Sequence, residues 1–107
     1  MQTVPELEVY KTGELLVLGF GGREISDYVN LAACRDEIHQ LIVKHKSRAL
    51  AIDMTGVQLV PSGLLGVLVS TQRQGVEVHL FNLSEEVREV LELSKLSSVF
   101  HLHDVEL

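Results

Sequence analysis

Ser62 stands inside the run LVPSGLLGVLV, residues 59–69, between a β-prone stretch and an apolar stretch that carries no charge. A hydroxyl at such a junction reads in three ways: as a nucleophile, as a contact for a ligand or partner, or as a helix cap. The nucleophile needs a sharp G-x-S-x-G elbow. Here Val60 stands two before the serine, Pro61 and Gly63 flank it, and no second oxyanion loop is evident. Hydrolysis through Ser62 is therefore a remote alternative. Asp53 lies nine residues earlier, at the end of the run ALAIDM. In open α/β sheets functional groups collect at the carboxyl ends of strands. A helix starting after Pro61 would offer free N–H groups and a positive dipole to a phosphate or acidic group. The plain alternative is that Asp53 ties down its own turn and Ser62 caps the helix.

Five histidines raise the question of a metal. His101 and His103 share a strand face, and His79 lies on another strand. A zinc site needs three or four convergent ligands, and the single cysteine, Cys34, falls on a helical stripe far from them. The expectation is solvated histidines at the rim, with no metal and no cofactor. Gly19, Gly21 and Gly22 spell neither a G-x-G-x-x-G fingerprint nor a P-loop, and are expected to be turn glycines.

These residues must be positioned by a repeating set of elements. Leu7–Tyr10 and Leu15–Phe20 are β-prone runs split by Lys11-Thr12-Gly13-Glu14, which predicts a hairpin. Ser26, Asp27 and Asn30 are candidate N-caps for a helix over 31–46. Its apolar residues Leu31, Cys34, Ile38, Leu41 and Ile42 make one stripe. A strand is predicted over 49–54, then a short extended link, Val57 to Val60. Pro61 suits the start of a helix over 63–74, which stops at Gly75. A strand over 76–81 follows. Ser84 caps a helix over 85–96, with Val87, Val90, Leu91 and Leu93 toward the core, and 99–105 is the last strand. The order β-β-α-β-α-β-α-β predicts an α/β fold with βαβ crossovers and a mostly parallel sheet.

The totals limit what such a domain can do. With 107 residues the chain suits one domain and one core, so residues 1–107 are read as a single unit. No apolar run approaches the roughly 18 residues of a membrane span, and the N-terminus lacks the basic start and apolar region of a signal peptide. One cysteine forms no internal disulfide, which fits a reducing cytoplasm. The net charge of −6 argues against nucleic acid, which demands a basic footprint, and against anionic lipid surfaces. There is no tryptophan to build a stacking platform.

From Arg48 to Leu107 the chain resembles the STAS domain family, the sulfate-transporter and anti-sigma-factor-antagonist domain. Four pieces carry the resemblance: AIDMTGVQLV with Asp53, SGLLGVL, VEVHLFNLSEEVREVLELSKL with its Asn-Leu-Ser cap, and SSVFHLHD. The first 47 residues match in order of elements only. The resemblance implies a four- to five-stranded mixed sheet packed with helices and no catalytic machinery. It implies a bacterial, cytoplasmic regulatory module that binds an anti-sigma factor or kinase-like protein. Partner contact is expected at Asp53, Pro61, Ser62, Gly63, Leu64 and Gly66. A small-ligand module taking a nucleotide or lipid, as a subunit of a transport complex, is the alternative. Self-association is left open.

In antagonist members an Asp-Ser-Ser/Thr-Gly loop presents a hydroxyl that a partner kinase phosphorylates. Counted without gaps from Asp53, the motif's aspartate falls on Pro61, its first hydroxyl on Ser62 and its usual acceptor on Gly63. Its later glycine falls on Gly66, and its apolar positions on Leu65, Val67 and Leu68. A shift by one residue would make Ser62 the acceptor, but would rotate the helical stripe by about 100°. The ungapped reading keeps the apolar register, and glycine accepts no phosphate.

Overall fold

The computed structural model describes residues 7–25 and 30–103. Strands β1 (Glu8–Lys11) and β2 (Leu15–Gly19) form the antiparallel hairpin, with a register shift between Val9 and Lys11. Helix α1 (Leu31–His45), β3 (Ala49–Asp53), α2 (Ser62–Arg73), β4 (Glu77–Phe81) and α3 (Glu85–Leu93) follow. A short 3-10 turn, Leu96–Ser98, then leads to β5 (His101–His103). The five strands lie in sequence order in one sheet, and β2 through β5 are mutually parallel. This is the mixed α/β sheet and element order that the sequence predicts.

That order decides where the helices go. Each crossover from β2 to β5 moves one strand in the same direction, and right-handed crossovers then place α1, α2 and α3 on a single face of the sheet. Strand residues alternate between faces. Leu16 and Leu18, Leu50 and Ile52, and Val78 and Leu80 accordingly meet Ile38 and Ile42 of α1, Leu64, Leu65 and Leu68 of α2, and Val87 and Leu91 of α3 in one core. The face turned away from the helices carries Val17, Ala51, Glu77, His79, Phe81, His101 and His103.

Local signals set most boundaries. Asn30 caps α1, its Oδ1 accepting from the Ala33 N–H at 2.9 Å; Ser26 and Asp27, the other candidate caps, lie outside the described residues. Ser84 caps α3 by accepting from Val87 N–H at 3.1 Å. Gln72 of α2 ties two distant pieces together, donating to the Val99 carbonyl and accepting from the Val78 N–H.

Two expectations are corrected at α3. The helix ends at Leu93 rather than 96, because Lys95 adopts the left-handed conformation (φ 64°) and the chain re-enters as a 3-10 turn. Val87 and Leu91 are buried as expected, but Val90 is 44% and Leu93 78% exposed. Leu93 lies two residues past Leu91, about 200° around the helix, and so points away from the sheet. The last strand is also shorter than 99–105: Val99 and Phe100 precede β5, and residues 104 and 105 fall outside the described ones.

Candidate functional site

The carboxyl ends of β3 and β4 are locked together by one carboxylate. Asp53 Oδ1 accepts from the Thr55 N–H at 3.0 Å, from the Thr55 hydroxyl at 2.6 Å and from Asn82 Nδ2 at 3.0 Å. Burial by itself would raise the Asp53 pKa; the hydrogen bonds from Asn82 and Thr55 outweigh it and hold the carboxyl below its ordinary value. Asp53 Oδ1 is thus committed to internal bonds, on a half-buried side chain that water still reaches. It fixes the turn, as the plainer of its two readings has it.

The segment after Asp53 is pinned at several points. Met54 N–H donates to the Phe81 carbonyl at 2.9 Å, and Val57 N–H returns to the Met54 carbonyl at 3.0 Å around Gly56. Val57 is buried in the core. Glu24, from the loop after β2, accepts from the N–H groups of Gln58 at 2.9 Å and Leu59 at 3.4 Å. The loop therefore enters α2 along a defined path, with Leu59 left 74% exposed. Neither Glu24 nor Leu59 stands out in the sequence, since a bond across 34 residues and a lone apolar loop residue leave no periodic trace.

Ser62 does not cap α2. Pro61 occupies the cap position (φ −59°, ψ 137°), with no side-chain bond to the helix. Ser62 is already helical, and its exposed hydroxyl makes no hydrogen bond among the described residues. Proline supplies the extended entry geometry by itself, so the helix begins one residue earlier than a serine cap would place it. Leu64, expected on the contact surface, turns inward and is only 2% exposed. Gly63 is exposed, yet a β-carbon there would lie 2.3 Å from Leu31 Cδ1 at the start of α1. Ser62 and Gly66 remain on the surface. They border a groove of about 490 Å³ with Leu65, Val69, Ser70, Arg73, Ser94 and Leu96.

The family match covers residues 6–106, almost all of the chain. The chain belongs to the STAS domain family. Solved structures agree on the STAS fold. The unphosphorylated form of the anti-sigma factor antagonist SpoIIAA superposes with a TM-score of 0.75 at 18% identity, covering 92% of this chain and 88% of that one. An anti-sigma factor antagonist from Mycobacterium paratuberculosis gives 0.73 at 22% identity, covering 97% and 92%. Comparison with curated protein sequences returns no match. No helix among the described residues of this STAS domain is long and apolar enough to cross a membrane.

The Asp53 clamp makes a pH prediction. A carboxylate whose folded pKa is depressed stabilises the fold above its unfolded value, about 3.9, and that contribution is lost as pH falls through the lower folded value. At pH 7, Asp53→Ala should cost about 1–2 kcal/mol, less than a buried charged hydrogen bond because water reaches the group. The gap between wild type and variant in urea denaturation should narrow as pH drops below 4. A gap independent of pH would mean that the charge plays no part in the clamp.

Proposed function

We propose that this STAS domain is a non-catalytic cytoplasmic regulator, an anti-sigma-factor antagonist that binds a kinase-like anti-sigma partner through the β3–α2 junction. The observation that carries this reading is the pinned loop. It holds Leu59, Pro61, Ser62 and Gly66 as one preformed outward surface, so little ordering entropy is spent when a partner docks. An exposed leucine at its centre supplies the apolar anchor such interfaces need. The fold shared with two antagonists supports the same reading. Ser62 has no hydrogen-bonded base among the described residues, which favours the regulatory reading over hydrolysis.

The switch is absent on this reading. Gly63 has no acceptor oxygen, and Leu31 takes up the space a side chain would fill there. Binding is then constitutive, or controlled through another domain or subunit. The test starts with capture of the partner from the source cell, followed by calorimetric titration. Leu59→Asp should weaken binding about thirtyfold or more, as loss of an anchor worth about 2 kcal/mol does. Ser62→Asp should weaken it as well, and Ser62→Ala should bind nearly as wild type. Incubation with the partner kinase and ATP should leave the chain unphosphorylated. Stoichiometric phosphate on Ser62 would restore the shifted alignment, and unchanged binding by Leu59→Asp would place the interface elsewhere.

The groove beside Ser62 favours a second reading, a module for a nucleotide or lipid with its phosphate toward Arg73. Titration with nucleotides and a short-chain phospholipid distinguishes the two. Saturable binding lost in Arg73→Gln would put this reading ahead.

A further inference from the structure

The parallel pairing of β4 with β5 sets His79 opposite His101 and Phe81 opposite His103, on the sheet face away from the helices. The imidazoles of His79 and His101 stack with centroids 4.5 Å apart and planes inclined by 18°. Glu77, one pleat before His79, brings its Oε1 to 3.2 Å from His79 Nε2. The ligand atoms of Glu77, His79 and His101 all lie within 4.8 Å of one another. We propose that Glu77, His79 and His101 form a surface site for a divalent transition-metal ion, of the zinc class, with His103 as its positioning residue.

Geometry and donor chemistry both lead there. Two imidazole nitrogens and one carboxylate oxygen are the donor set of zinc and its neighbours, and are too nitrogen-rich for magnesium or calcium. A tetrahedral ion with bonds of about 2.1 Å spaces its ligand atoms roughly 3.4 Å apart. Glu77 and His79 already have that spacing, and rotation of the exposed His101 closes the third side. The fourth position faces solvent and takes water.

A ligating histidine needs a partner on its other nitrogen to fix its ring and tautomer. His79 has one, because its Nδ1 lies 2.9 Å from Nε2 of His103. With both rings neutral and no metal bound, Glu77 as acceptor places the proton on His79 Nε2, and His103 Nε2 then donates to His79 Nδ1. With the ion on Nε2, Nδ1 carries the proton and donates to His103. Phe81 stacks on the His103 ring at 4.3 Å and 6° and holds it in place. The ion would join the edge strand β5 to β4, the strand it pairs with among the described residues.

The test titrates zinc chloride into the untagged chain against a chromophoric zinc chelator. One equivalent should bind, and His79→Gln or His101→Gln should each weaken binding at least tenfold. His103→Ala should weaken it about 10–100-fold, and His103→Gln, which restores an acceptor for Nδ1, should recover part of the loss. A His39→Gln, His45→Gln double variant should bind as wild type. Zinc at about a hundred times the wild-type Kd should lower the unfolding equilibrium constant of the wild type about a hundredfold, and that of His101→Gln by about tenfold or less. Should His79→Gln not fold, as circular dichroism would show, His101→Gln carries the test from its exposed edge position. No binding, or equal binding by wild type and His101→Gln, overturns the site.

Discussion

Leu68→Ala lowers the free energy of unfolding by about 2–5 kcal/mol, whereas Ser62→Ala on the same helix changes it by no more than about 0.5 kcal/mol. Leu68 is fully buried, and α2 turns Leu64, Leu65, Leu68 and Thr71 into the protein. Removing three side-chain carbons loses their transfer free energy and leaves a cavity that the sheet beneath, with Leu50, Ile52 and Val78, closes only in part. A domain of this size is stable by roughly 5–15 kcal/mol, so the variant gives up a large share of the total. A serine cap on α2 would make Ser62→Ala cost about 0.5–2 kcal/mol. With Pro61 in the cap position and the hydroxyl unbonded, no such loss is expected. Urea denaturation at equal slopes measures both. Equal, small losses would mean that α2 sits differently on the sheet.

Gly56→Ala is the second large effect, about 2–5 kcal/mol, although the position is exposed. Gly56 has φ +83°, which costs an L-residue about 1–2 kcal/mol. A β-carbon there would also lie 2.1 Å from the carbonyl oxygen of Gly22 and 2.4 Å from its carbon. Backbone cannot rotate aside as a side chain can, so one turn must move, at roughly 1–3 kcal/mol more. Gly22 stands two residues before Glu24, the acceptor for Gln58 and Leu59. The loss should therefore reach the proposed contact surface, and the amides of Gln58 and Leu59 should exchange faster in the variant. A loss below about 1 kcal/mol would show that the two turns are not pressed together.

The STAS resemblance was legible because its pieces depend on local chemistry. Asn30 and Ser84 cap their helices as side chains of that kind do, and the Cys34–Ile38–Ile42 stripe follows from 3.6-residue periodicity. The α2 stripe buries Leu65 and Leu68, the apolar positions expected of the helix after Pro61. The misplaced residues sit where local signals compete. Leu64 and Leu65 are both buried at the wide apolar face of a helix lying flat on the sheet, so proximity to Ser62 said nothing of which way Leu64 points. Leu93 is apolar within an apolar stripe's reach, but the 100° step between helical neighbours carries it to the other side. Ser62 lost its cap role to the adjacent proline, whose fixed φ starts the helix unaided.

By itself the sequence determined the order of elements, one sheet with helices packed on it, the family, and Asp53, Ser62 and Gly66 as residues of the β3–α2 junction. Those follow from periodicity, caps and turn residues, which act over a few positions. Only the tertiary structure decided that Asp53 bonds Asn82 across 29 residues, that Glu24 holds the loop carrying Leu59, and that His79 meets His101 and His103 instead of lying scattered at the rim. Each of those contacts depends on the register between parallel strands or on the approach of two distant turns. A crossover helix leaves that register free until the apolar faces pack, and packing is a property of the whole core.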